Sequence, residues 1–275
     1  MANAKANGAV TTKTEKLPAM NLESLAQFAG AGLDTITTDD IATPRLKVLA
    51  AMSPEVDEID GAKAGMIINN VSKRLYPGQE GIKVVVCGYE KVWLEWTDRG
   101  KGSSAPVNIF EPKDRPANAV RGDDGKFRLE NGNYLEECAN FYVLLLNDGS
   151  APEPAIISMK ATQLKAARTW AYSLKNEFIQ NPKTKKLFLA PSWYRVYNLT
   201  TIKQQNDKGS WYGWVVNKGD FLESEGTFDM AANFNESVRK GIVKPKYDDK
   251  AESSNGSEDI PVSYTHLTLP TKRIV

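Results

Sequence analysis

Eleven basic residues fall between positions 160 and 218, against two acids, Glu177 and Asp207. The cations are Lys160, Lys165, Arg168, Lys175, Lys183, Lys185, Lys186, Arg195, Lys203, Lys208 and Lys218. Aromatic side chains interleave with them: Trp170, Tyr172, Phe178, Phe188, Trp193, Tyr194, Tyr197, Trp211, Tyr212 and Trp214. Cations neutralise phosphates and flat rings stack on unpaired bases, so this pairing of types points to single-stranded DNA or RNA rather than to a metabolite. The sign then reverses in Asp248, Asp249, Glu252, Glu258 and Asp259. A purely structural explanation competes, because strand tryptophans and tyrosines commonly fill cores and helix lysines commonly form a solvated face.

Other chemistries are narrowed by what the chain lacks. Its one histidine, His266, lies in residues 262–275, which back-translate onto a transposon-end sequencing adapter and are set aside as non-native. The native sequence beyond Pro261 is then open. A chain without histidine builds no Ser-His-Asp triad, no Cys-His pair and no histidine general base. Cys87 and Cys138 are too few for a four-thiolate zinc site and sit in apolar, strand-like runs, so buried free thiols in a reducing cytoplasm are expected. No run of about twenty apolar residues is present to span a membrane, and the N-terminus lacks a signal-peptide core. A soluble, cytoplasmic protein is therefore expected. A magnesium-dependent nuclease could use Glu111 in Glu111-Pro112-Lys113 with Asp123 and Asp124, yet acid pairs in loops are common. The expectation is a non-enzyme with no catalytic residues, no metal and no cofactor.

The elements that would position the cations follow from periodicity. Residues 1–20 read as disordered, and residues 21–64 as a helical lead-in with one helix over 21–27 and another starting at Thr43, its apolar side being Leu46, Val48, Leu49 and Met52. Residues 82–96 read as a long strand with Val84, Val86, Val92, Leu94 and Trp96 on one face and a bulge at Gly88. Residues 126–136 form a hairpin around Asn131-Gly132, 138–146 a buried strand, and 153–159 its return. A helix over 164–178 carries Leu164, Ala167, Ala171, Leu174 and Phe178 on its apolar side, stopped by Asn181-Pro182. Residues 192–203 and 211–218 pair across a turn, and 227–240 form a last helix closed by Gly241.

This order predicts a mainly β, α+β protein: an OB-fold-like five-stranded Greek-key barrel over 65–223, with a helix between strands 3 and 4. A C-terminal helix over 224–245 and an acidic disordered tail over 246–261 follow it. The loops that grip nucleic acid in such a barrel would be 97–124 and 204–210. The expected binding residues are Arg99 and Lys101 in the first loop, Lys203 and Lys208 beside the second, and Lys160, Arg195, Tyr197 and Trp211 on the strands. Strand alternation puts Trp193, Arg195 and Tyr197 on one face.

Over residues 65–261 this layout resembles phage-encoded single-stranded-DNA-binding proteins of the T7-type replication class. The tip Glu258-Asp259-Ile260-Pro261 is similar to the acidic Asp-Ile-Pro-Phe end of bacterial single-strand-binding proteins. The resemblance implies binding without strong sequence preference in phage replication or recombination, with the tail docking on a polymerase or helicase. The sequence is also compatible with a homodimer. The alternative is a non-enzymatic phage interaction or virion-associated protein, since a basic patch also binds acidic proteins.

Overall fold

The computed structural model describes residues 27–28, 30–36, 41–98, 105–147, 150–207 and 209–247. The chain divides into two compact units, 1–41 and 42–275. In the first, Ala31 N donates to Phe28 O, Leu33 N to Gly30 O and Ile36 N to Leu33 O. The helix expected over 21–27 lies outside the described residues apart from Gln27.

The second unit contains, in chain order, β1 (Leu46–Val48), α1 (Pro54–Glu58), β2 (Ile67–Asn69), β3 (Leu75–Tyr76), β4 (Ile82–Trp96), β5 (Asn108–Phe110), β6 (Val120–Arg121), β7 (Phe127–Arg128), β8 (Tyr134–Leu146) and β9 (Glu153–Lys160). It continues with α2 (Leu164–Lys175), β10 (Phe178–Gln180), β11 (Leu187–Leu189), β12 (Arg195–Asn206), β13 (Gly209–Phe221) and α3 (Glu225–Arg239). The protein is mainly β with few helices, built on a curled antiparallel sheet. Among the described residues no helix is long and apolar enough to cross a membrane.

The long pair β4–β8 is the spine. At one end β12 adds to β4 and β9 to β8, so the long strands lie in the order β9-β8-β4-β12-β13 with α2 between β9 and β12 in sequence. At the other end β5 adds to β4, and β7 and β6 extend from β8. The sheet curls around α2, whose Trp170 stacks on Phe141 of β8 at 4.1 Å and meets Tyr197 of β12 edge-on at 5.6 Å. No ladder joins β9 to β13 among the described residues, so the five strands do not close into a barrel. A side chain spans the gap instead: Gln163 Nε2 donates to Tyr212 O at 3.2 Å, and its Oε1 accepts from Trp214 N at 3.0 Å. One amide thus satisfies β13 groups that a neighbouring strand would otherwise pair.

The Gly88 bulge is present, as the β4–β8 register shifts between Val86 and Gly88. Its effect was not foreseen. The extra residue reverses the alternation, so Val84 and Val86 pack toward Trp170 whereas Val92, Leu94 and Trp96 pack with Cys138 and Tyr247 on the opposite face. Val85 and Cys87 cover that second face before the bulge, under Ala231 and Phe234 of α3.

Several expected elements are corrected. The helix from Thr43 is strand β1: Leu46 and Val48 alternate into the core, while Lys47 pairs with Glu55 at 2.6 Å. Short apolar runs satisfy either period, and pairing with β2 decided this one. Residues 42–64 accordingly belong to the larger unit. The expected breaks around 137 vanish, because β8 runs unbroken from Tyr134 to Leu146. Helix α2 stops at Lys175, before Asn181-Pro182, and Phe178 begins strand β10. Lys246 and Tyr247, assigned to the tail, are ordered: Tyr247 is buried, and its hydroxyl accepts from Asn140 Nδ2 at 2.6 Å.

Candidate nucleic-acid interface

Beyond Leu199 strand β12 leaves β4 and, among the described residues, pairs only with β13, so residues 200–206 and 209–215 form a two-stranded ribbon. Its foot is held where two glycines let backbone approach closely. Thr201 N donates to Gly78 O at 2.8 Å, and Thr201 Oγ1 donates to Gly65 O at 2.5 Å. A methyl group at Gly78 would collide with Gly65 O and Thr201 Oγ1, and the Tyr212 ring occupies the space a Cβ on Gly65 would need.

The register sorts the ribbon into two faces. On one, Thr201 opposes Trp214 and Lys203 opposes Tyr212, with Trp214 in the core and Tyr212 against Gly65. On the other, Ile202 opposes Gly213 and Gln204 opposes Trp211. There Ile202 is exposed and Trp211 half-exposed, its indole N–H donating to Gln204 Oε1 at 2.9 Å. Lys203 is exposed on the first face. Neither strand carries an acid over 195–206 or 209–219. The ribbon thus offers, on one face, a ring held in place by a neighbouring amide and an aliphatic surface and, on the other, an exposed cation, groups of the types that stack on bases and contact phosphates.

The other expected residues are not brought to this surface. Tyr197 is 1% exposed and belongs to the core; burial pushes its phenol up to about 12. Arg195 is turned inward: its Nε and Nη2 donate to Glu177 Oε1 at 3.1 and 2.6 Å, its Nη1 to Gly219 O at 2.7 Å, and its plane lies 4.1 Å from the Phe221 ring centroid. Lys160 lies 3.7 Å from the Glu136 carboxylate and over the Trp96 ring at 5.1 Å. The shared face of Trp193, Arg195 and Tyr197 does not exist. Residues Ser192–Tyr194 form a 3-10 turn, the register shifts between Arg195 and Tyr197, and Trp193 packs edge-on to Phe228 of α3 at 5.9 Å. Arg99, Lys101, Lys208 and the tail residues Glu258, Asp259, Ile260 and Pro261 lie outside the described residues.

In and just after the expected first gripping loop, two arginines serve internal order. Arg115 sits in the corner formed by the perpendicular rings of Trp93 and Phe127, 4.4 Å from each centroid, and Arg128 is chelated by Asp98 and Asp124. Glu111 pairs with Lys113 at 3.0 Å. No group of three or more His, Cys, Asp or Glu side chains that could hold a metal stands together among the described residues.

Buried Glu95 organises this region. Its carboxylate accepts from Asn108 at 2.7 Å, Asn131 at 3.0 Å and Asn133 at 2.6 Å, tying β5 and the β7–β8 turn to β4. Burial alone pushes the carboxyl up, but the three amides outweigh it and hold it below its ordinary 4.5. A depressed folded value means the unfolded chain binds the proton first. The stabilisation is therefore full above about pH 4.5 and fades as pH falls through the folded value. Glu95→Gln should flatten this acid-side loss, measured by denaturant unfolding at neutral pH and near pH 3.5. An unchanged pH dependence would remove Glu95 from the account.

Sequence reasoning also passed over a second basic surface, the β10–β11 hairpin. Its exposed side chains include Phe178, Leu187, Phe188 and Leu189, with Lys183, Lys185 and Lys186 at its turn. The signal was present as an apolar triplet directly after lysines in a stretch, 178–189, that holds no acid. Extending the α2 helix to Phe178 concealed it.

Compared with known proteins, residues 12–244 match the family described as Pam3 phage gp34-like protein. No curated protein and no solved structure matches the chain.

Proposed function

The chain belongs to that phage family, and from this premise we propose that it binds single-stranded DNA, or RNA, with little sequence preference during phage replication or recombination. The observation that carries the reading is the β12–β13 ribbon: paired stretches without an acid, 200–206 and 209–215, presenting Trp211, Ile202 and Lys203 to solvent beyond the core. Support comes from the order β9-β8-β4-β12-β13 with a helix after the third strand, the connectivity of an OB-fold whose closing pair is replaced by Gln163. The ribbon then corresponds to the strands flanking that fold's second gripping loop. No cofactor or catalytic group takes part in this reading, and the acidic tail docks on replication partners such as a polymerase or helicase.

The test is oligonucleotide binding read by tryptophan quenching. Stacking on an aromatic ring is worth about 1–3 kcal/mol per base, so Trp211→Ala should weaken poly-dT binding at least five-fold without unfolding the protein. Lys203→Glu should flatten the log-log salt slope by about 0.7. Poly-dT affinity equal to wild type in both variants would sink the proposal. Exposed Val107, Ile109 and Val120 in the 97–133 excursion favour a second reading, a non-enzymatic phage interaction protein. Absence of any salt-dependent oligonucleotide binding by the wild type would select it.

A further inference from the structure

We infer that the β10–β11 hairpin is a second contact for the same single strand, set at the opposite end of the β12–β13 ribbon from Trp211. This rests on the single-strand reading above. The two strands of this hairpin pair only with each other among the described residues, in the register Phe178↔Leu189, Ile179↔Phe188 and Gln180↔Leu187. A two-stranded hairpin is marginal in water unless something supports it, and here both faces carry exposed apolar groups. Phe178 is 55% exposed, Leu187 69% and Phe188 44%. Such a surface asks for an occupant.

Charge and rigidity say which. Lys183, Lys185 and Lys186 stand at the turn, and 178–189 holds no acid to pair with them. The turn itself is fixed. Asn181 Oδ1 accepts from Lys183 N at 2.9 Å and Thr184 N at 3.0 Å, Lys185 N donates to Asn181 O, and Gln180 Nε2 donates to Lys185 O at 2.9 Å. At the root, Glu177 O accepts from Ala190 N at 2.7 Å, and the Glu177 carboxylate is gripped by Arg195 of β12 and Lys218 of β13. A rigid, acid-free turn next to two exposed phenyl rings suits a polyanion that also offers flat apolar faces. Unpaired bases on a phosphate backbone meet both requirements.

The root fixes where this contact lies. Lys218 and Trp211 are separated by seven residues of one strand, roughly 23 Å at about 3.3 Å per residue. An unpaired strand is not held at the roughly 3.4 Å rise of a duplex strand and extends to about 6 Å per nucleotide, so roughly four steps between nucleotides cover that interval. Short oligonucleotides therefore engage one end, and longer ones both.

The experiment compares dT4 and dT20 by fluorescence anisotropy on the full chain, in wild type, Trp211→Ala, Phe188→Ala, and the double variant Lys185→Glu with Lys186→Glu. Both hairpin variants should weaken dT20 about ten-fold and leave dT4 within about two-fold, and the charge variant should also flatten the dT20 salt slope. These side chains are exposed, so thermal unfolding should be unchanged; if the charge variant fails to fold, Phe188→Ala decides. Wild-type dT20 affinity in the hairpin variants overturns the inference while leaving the single-strand reading intact. Failure of wild type to bind either oligonucleotide overturns that reading and the inference with it. Capture by phosphatidylserine vesicles that the hairpin variants lose, with dT20 binding unchanged, overturns the inference in favour of a membrane contact.

Discussion

Trp170→Ala is expected to destabilise the protein by about 3–5 kcal/mol, the range for truncating a large aromatic in a packed core. Trp170 is 1% exposed, stacks on Phe141, meets Tyr197 edge-on, and is the residue by which α2 fills the curl of the sheet. At about 2–4 °C per kcal/mol for a unit of this size, the midpoint of thermal unfolding should fall by roughly 10 °C. Trp170→Phe should cost less, since it keeps a ring above Phe141. A loss below about 1 kcal/mol for the alanine variant would mean that α2 does not hold the sheet in its curl.

The second large effect belongs to Glu177. Its carboxylate, 8% exposed, meets Arg195 at 2.6 Å and Lys218 at 2.5 Å, and the Arg195 hydrogen bond is the main reason it lies below the usual carboxylate range. Removing one partner of a buried ion group leaves the others uncompensated, so Glu177→Ala should cost about 3 kcal/mol. Because the depressed value makes the stabilisation full above the unfolded carboxylate pKa, the difference between variant and wild type should be present at pH 7 and shrink toward pH 3. Denaturant unfolding at both values checks this. Hydrogen exchange should in addition show faster opening of β10 and β11, whose root Glu177 fastens. An equal difference at both pH values would mean that side-chain packing, not charge, is what the substitution removes.

Much of the second unit could be read from residues alone where one signal was unopposed. The valine-rich run of β4, the Asn131-Gly132 turn and the helix at Leu164 each carry a strong local preference that tertiary packing reinforces. Legibility failed where an apolar run was too short to declare its period, as at Leu46–Val48, or where a strand changed parity, as after Gly88. The site was less legible for a related reason. An aromatic or cation in a strand looks alike whether it faces inward or outward, and the deciding contacts come from distant segments. Tyr197 is claimed by Trp170, Arg195 by Glu177, and Trp214 by the core, while Trp211, three residues earlier, is half-exposed. Lys203 and Trp211 lie near a turn in the chain, and chain position of that kind distinguishes a ribbon tip from a core far better than residue type does.

The extra residue at the β4 bulge acts as a frame setter. Upstream of it the strand's even-numbered side chains insulate one interior, and downstream the same parity insulates the other. Substitution can be absorbed locally, but a change of length cannot. A single inserted or lost residue between Val86 and Val92 would exchange the inward and outward sets across the rest of the strand, moving Leu94 and Trp96 off Cys138 and Tyr247 in one step. In this strand, residue count is held more tightly than residue identity, and drift among relatives should appear there as replacement and never as a gap.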